Sequence, residues 1–311
     1  MKISLKNMKS VAVILTLLLN FSIMMTVSAQ NEKKPTILFA PQWKVGTTVK
    51  YQADIQKTVT QGDFHWNGNY SSIQQLTVKS VDDSSFVVLW KAQGFPINIF
   101  QDYPGPMYDW FQEWSKGKTV DLLVKFNNLG VPLSVLNPDS VRSFYLTMVD
   151  EFMKELPSHN VAPLDKEQVK QSLINLKDIY IPSEQLPTSF LNNLSLLFPL
   201  FGKTFYENQD LKVTQYTQLP GVEFSVPIQV HTQLIKEGKE QYQLISNKNV
   251  LPFNQWRIKP SGYTAIDFDY SDSLDFKYDN ATQLVTYAMH SMNYQRSNYT
   301  DNFVITYTKV K

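Results

Sequence analysis

The chain contains no cysteine, which excludes disulfides, iron–sulfur clusters and thiolate zinc sites and leaves the fold to be held by packing alone. Histidine is scarce as well. The four that occur, His65, His159, His231 and His290, are far apart and show no His-x-x-x-His or His-Glu-x-x-His spacing, so no metal centre is expected. The eleven glycines include no Gly-x-Ser-x-Gly elbow, no Gly-x-Gly-x-x-Gly and no phosphate loop. Nucleotide chemistry and elbow-type serine hydrolysis lose their usual supports, and no cofactor is implied.

What is present begins with an address. Lys2, Lys6 and Lys9 precede an apolar run from Val11 to Met25, interrupted by Asn20 and Ser22, and Val27-Ser28-Ala29 precede Gln30. The run is shorter than the roughly 20 residues that span a bilayer, and it ends in small residues. Residues 1–29 therefore predict a signal peptide cleaved after Ala29. No cysteine stands at the cleavage point to carry a lipid anchor, so a soluble exported protein, periplasmic or extracellular, with no transmembrane segment is expected. Three of the 29 basic residues and none of the 28 acidic ones fall in that leader. The remainder is near neutral, which argues against a nucleic-acid or anionic-membrane partner.

From Thr47 onward, Val49, Tyr51, Ala53 and Ile55 alternate with Lys50, Gln52, Asp54 and Gln56, the period of a half-buried antiparallel strand. Ser72 to Val81 and Phe86 to Ala92 flank a turn at Asp82-Asp83-Ser84-Ser85, and Leu122 to Leu136 fold back at Asn127-Asn128-Leu129-Gly130. Further strands are expected at Phe224 to Lys236, Glu240 to Ser246, Leu274 to Tyr278, Leu284 to Tyr294 and Phe303 to Val310. Three alignments link the halves. Leu122 sits over Leu274, Val81 over Ile235 and Gly46 over Gly202, at offsets of 152, 154 and 156, consistent with two tandem β modules.

Between the halves the period changes. Val141, Phe144, Tyr145, Met148, Val149, Phe152, Met153 and Leu156 form one stripe of a helix opened by Pro138 and Asp139, with Asp139 as its cap. Asp165 with Gln168 resembles a capping box for a second helix, and Ser183 begins a third. Pro106 opens a shorter candidate carrying Met107, Trp110, Phe111 and Trp114 on one face.

Three groups of residues could bear function. The aromatics Trp110, Phe111 and Trp114, with Phe190, Leu194 and Phe198 of the third helix, could line or close an apolar cavity. Asp109 and Glu113, one turn apart beside the tryptophans, are the best acid pair for glycoside hydrolysis. Asp267, Asp269, Ser271 and Asp272 invite comparison with a calcium loop, but Asp272 and Tyr278 stand where that loop needs Gly and Glu. Alternation with Ile266, Phe268 and Tyr270 instead predicts a strand with its carboxylates in water.

The leader ending Ser28-Ala29-Gln30, the Trp43-x-x-Gly46 opening before the Tyr51 strand and the Phe126-Asn127-Asn128-x-Gly130 hairpin resemble uncharacterised exported envelope proteins of Bacteroidetes type. That resemblance implies residence in a bacterial envelope. In architecture, a curved antiparallel sheet covered by helices is similar to the periplasmic lipoprotein-carrier half-barrels. The expectation is an α+β fold: two curved antiparallel β modules, Ala40 to Leu136 and Gly202 to Lys311, joined by a helical insertion from Pro138 to Phe201. The expected function is non-enzymatic, the binding of an apolar small molecule, lipid or lipidated envelope protein. The alternatives are a hydrolase acting on envelope glycans, through Asp109 and Glu113, and a protein-interaction scaffold using sheet edges.

Overall fold

The computed structural model describes residues 36–93, 110, 113–158, 166–219 and 221–310. The leader, Pro106, Met107, Asp109, Phe111 and the capping residue Asp165 lie outside the described residues, as does the side chain of Gln168.

The chain runs through β1 (Thr36–Leu38), β2 (Thr48–Gln61), β3 (Phe64–Val81), β4 (Ser85–Gln93), β5 (Thr119–Asn127) and β6 (Pro132–Val135). Three helices follow, α1 (Pro138–Glu155), α2 (Lys166–Asn175) and α3 (Gln185–Leu197). The second set of strands is β7 (Thr204–Tyr206), β8 (Asp210–Gln218), β9 (Ser225–Lys236), β10 (Gln241–Val250), β11 (Phe268–Asp279), β12 (Leu284–Arg296) and β13 (Tyr299–Lys309).

Side-chain alternation explains the sheet. In β2, Val49, Tyr51, Ala53 and Ile55 are buried while Lys50, Asp54 and Gln56 are exposed, so one face packs and the other meets water, as antiparallel sheets allow. The turns are set by side chains that imitate backbone. Asp82 accepts hydrogen bonds from the Ser84 and Ser85 amides at 2.8 and 2.7 Å and from both hydroxyls, and the Ser85 hydroxyl foremost pulls its carboxyl down to about 2. Asn127 serves the second hairpin likewise, accepting from Leu129 and Val131. There Gly130 takes φ +85°, and a Cβ would run into Pro41 and Phe201, so only glycine fits.

The two sets of strands join in one antiparallel 11-stranded sheet of order β6-β5-β4-β3-β2-β13-β12-β11-β10-β9-β8. The junction is made by the last strand returning to the first long one, with Ile55 opposite Ile305 and Ala53 opposite Tyr307. The sheet is therefore open, with β6 and β8 at its edges. β3 and β9, and β5 and β11, the segments related by the sequence offsets, each stand six places apart in that order. β1 and β7 form a separate ribbon, which is held to β11 where Phe39 meets Phe276 and Tyr278 edge-on.

The helices lie on the packed face, α1 against β5 and α3 against β6 and β12. α1 buries Val141, Tyr145, Met148, Val149 and Phe152, members of the expected stripe. Asp139 is not its cap. Asn137 holds the cap position, and its side chain accepts from the Leu123 amide and donates to the Asp121 carbonyl, both at 2.8 Å, tying α1 to β5. Asp139 sits in the first turn and pairs with Arg142 at 3.0 Å. Two apolar clusters result. The larger lies under the helices, and the smaller, containing Val226, Ile228, Val230, Trp256 and Phe268, lies toward the far end of β9 and β11. Among the described residues no helix is long and apolar enough to cross a membrane.

Candidate functional site

From Gln185 to Gly202 the chain carries no charged residue. α3, at the start of that stretch, buries Leu186, Phe190, Asn193, Leu194 and Leu197, so it is held largely by dispersion and burial, with directional contacts where Ser189 meets the Tyr180 hydroxyl and where Tyr307 reaches the Asn193 carbonyl. Phe190 meets Trp90 edge-on at 5.7 Å and lies over Tyr145 at the same distance. Phe198, at the C-cap, stacks on Phe201 at 4.8 Å and meets Trp43, Tyr51 and Phe126 edge-on. Phe190, Leu194 and Phe198, expected as ligand residues, are thus brought together in the core with at most 3 % exposure. Trp110 and Trp114 stand apart from them, packed on Phe152 of α1, two turns beyond Tyr145, with ring centroids 4.0 and 5.2 Å away.

Beneath α3 is a cavity of about 30 Å³, room for one water molecule and not for an acyl chain. Its apolar wall includes Ala53, Ile55, Trp90 and Phe190; its polar wall is Tyr70, Gln74, Gln93, Asn193 and Tyr307. Most of the polar groups are engaged. Gln74 accepts from the Trp90 indole at 2.8 Å and donates to Ser72 at 2.7 Å, and Tyr70 donates to the Gln93 carbonyl at 3.3 Å. Tyr307 reaches the Asn193 carbonyl at 3.5 Å. The exception is Asn193 itself, whose buried side-chain oxygen has no partner. Burial pushes the Tyr70 and Tyr307 phenols up, so both stay neutral near pH 7. No carboxylate, histidine or lysine lines the cavity among the described residues.

Glu113 lies on the surface, its side chain 76 % exposed and paired with Lys116 at 3.6 Å. Trp114 donates its indole N–H to Glu155 at 2.9 Å, under the Lys118 ammonium 3.6 Å from the ring. Among the described residues no group of three or more His, Asp and Glu side chains could hold a metal ion.

The core face also carries charge that was not anticipated. Asp272 was expected in water with Asp267 and Asp269, which are indeed exposed, yet Asp272 is 3 % exposed. The parity is decisive: Asp272 shares the phase of Phe268 and Tyr270, not that of Asp269, so the strand turns it inward. It is paired there with Lys248 at 3.1 Å and His290 at 3.3 Å. Across the sheet, Lys57 and Asp301 make a second buried pair at 3.2 Å. The same signal, a polar residue in apolar phase, marks Gln74 in β3 between buried Ser72 and Leu76, and Asn193 in α3.

No protein-family model matches the chain, and no curated protein matches it. Among solved structures, a lipovitellin chain described under lipid–protein interactions is similar to 87 % of this chain at 11 % identity, with a TM-score of 0.39. The match takes in 26 % of the lipovitellin chain, so this chain spans about a quarter of that length. At such distance the likeness assigns neither fold nor ligand.

Proposed function

We propose that this chain is a non-catalytic exported carrier that holds an apolar ligand, or the lipid part of a partner protein, between α3 and the sheet. The observation that carries this is the charge-free α3 seated over a cavity with a buried, unpartnered amide oxygen. To admit a ligand, α3 would exchange its apolar contacts with the sheet, and its hydrogen bonds to Tyr180 and Tyr307, for contacts with the ligand. Lifting it would uncover Phe190, Leu194 and Phe198 on one side and Trp90 on the other, apolar surface for a chain that the closed cavity cannot admit. Trp110 and Trp114, packed on Phe152, would flank that trough at the α1 end. The export leader would place the carrier in the periplasm or outside the cell, and the matching places of β3 and β9, and of β5 and β11, support two modules of common layout.

Titration with the apolar dye N-phenylnaphthylamine tests this. Saturable fluorescence enhancement that a long-chain lipid displaces, and that Phe190→Ala and Leu194→Ala alter, is expected; a wild-type protein that never enhances the dye would remove the proposal. A scaffold role has one supporting feature: β8 is an open edge with no buried residue, uncharged from Val213 to Gln218, the kind of edge to which a strand can be added. Photo-cross-linkers placed in β8 would then capture a partner. A hydrolase role draws no support from Glu113, exposed and paired with Lys116.

A further inference from the structure

We propose that β8 is a self-association edge, where a second copy of this chain adds its own β8 antiparallel about a two-fold axis at Thr214. The pairing does not depend on whether α3 lifts or a ligand binds.

The two edges of the sheet are built differently. β6 is four residues long, opens on Pro132, breaks register against β5 and has α3 packed on it, all of which keep an edge from accepting another strand. β8 has none of these. Its nine residues include no proline and keep unbroken register with β9, from Asp210 opposite Gln233 to Gln218 opposite Ser225. No described strand lies on its other side.

The backbone phase of that open side follows from one hydrogen bond. The Leu234 amide donates to the Gln209 carbonyl at 2.9 Å, which in an antiparallel ladder makes Asp210–Gln233 a non-bonded pair and Leu211–Thr232 a bonded one. The next ladder agrees, since the Glu237 amide donates to the Gln241 carbonyl at 3.0 Å. Leu211, Val213, Gln215 and Thr217 therefore turn their amides and carbonyls to β9. Asp210, Lys212, Thr214, Tyr216 and Gln218 turn theirs outward.

A two-fold axis at Thr214 sets these five residues against the same five of the second copy, with two hydrogen bonds to each pair. Thr214 then meets itself, Lys212 meets Tyr216 and Asp210 meets Gln218, so no like charges face each other. Other axes do worse. An axis at Val213 or Gln215 leaves four bonded pairs within the strand, and one at Lys212 sets ammonium against ammonium. All five outward residues also present their side chains on the wet face. Tyr216, the one aromatic of the strand, is 49 % exposed, and across the axis its ring lies beside the Lys212 ammonium, twice over by symmetry. Asp210 is tied back to His231 at 2.6 Å and Gln233 at 3.2 Å, which leaves Lys212 and Tyr216 to choose the partner. A foreign strand would find the same amides. Only a second β8 answers each side chain with its complement.

One strand edge is a small interface, so a weak, reversible dimer is expected, and sedimentation velocity of the purified protein up to about 0.3 mM measures it. Tyr216→Glu, which sets a carboxylate across from Lys212, should tighten the dimer, and Tyr216→Lys should weaken it, each on the order of tenfold. The reverse order would place Tyr216 across from Asp210 and overturn the axis at Thr214. A monomer throughout, or a dimer indifferent to both substitutions, would overturn the proposal. Because the chain has no cysteine, single-cysteine variants read the axis independently of any change at Tyr216. Oxidised Thr214→Cys should give a disulfide-linked dimer, its Cα atoms about 5.5 Å apart, and Val213→Cys should not; the opposite result would overturn the axis. A photo-cross-linker at Thr217 that captures a different protein in place of a second copy would overturn self-association.

Discussion

Asn193→Leu should make the protein more stable and a poorer binder. The wild-type side chain places an amide oxygen at a buried position with no partner, against a cavity of about 30 Å³. Leaving such a group unsatisfied costs on the order of 1–3 kcal/mol. Leucine removes that cost, fills part of the void and is the better helix former by a few tenths of a kcal/mol. A net gain of about 1.5–3 kcal/mol in the unfolding free energy from urea titration is expected, with a melting temperature raised by roughly 2 °C per kcal/mol at this chain length. If α3 must lift for a ligand to enter, the same substitution stabilises the closed state against the open one. Apparent affinity for an apolar dye should then drop about tenfold for each 1.4 kcal/mol gained. A variant that loses stability would show that the amide is satisfied by an ordered water with bonds worth keeping. A variant that gains stability but binds as before would refute the lifting helix.

Phe190→Ala, which deletes a ring packed on Trp90 and Tyr145 at 2 % exposure, should cost about 3–5 kcal/mol in chemical denaturation. Asp301→Leu leaves the Lys57 ammonium buried without its carboxylate and should cost a similar amount, about 3–5 kcal/mol, while the double variant Lys57→Met/Asp301→Leu should regain most of it. Lys203 titrates near 8 in the fold against about 10.4 unfolded. Between those values the unfolded chain holds the extra proton, so stability should rise with pH from about 8 to 10, by on the order of 2 kcal/mol, and Lys203→Met should flatten that rise. Equilibrium unfolding across pH 7–10 in anion-free buffer measures it.

The β strands were legible because the period of two is strict where one face is wet: β2, β4, β9, β12 and β13 fall where Val, Ile, Tyr and Phe alternate with Lys, Gln and Thr. The helices were legible for the corresponding reason, the stripe from Val141 to Leu156. What alternation cannot state is which strands become neighbours. The closure of β13 onto β2 depends on contacts between residues some 250 positions apart, such as Ala53 with Tyr307, and nothing local announces it. β8 escaped notice because an edge strand with neither face buried has no apolar side to betray it. In the site, Phe190, Leu194 and Phe198 could be singled out by their apolar spacing, whereas Gln74, Asn193, Asp272 and His290 could not. They are polar residues in buried phase, and recognising them requires trusting parity over composition. Asp272 shows the cost of the opposite choice: its acidity suggested water, while its phase with Phe268 and Tyr270 had already turned it inward.

The most direct test of the carrier role is native mass spectrometry of the protein isolated without detergent from the cells that make it, followed by organic extraction and lipid analysis. The expected result is a stoichiometric adduct in the mass range of an acyl lipid, lost from Phe190→Ala. A bare polypeptide mass, unchanged after incubation with dispersed lipid, would contradict it.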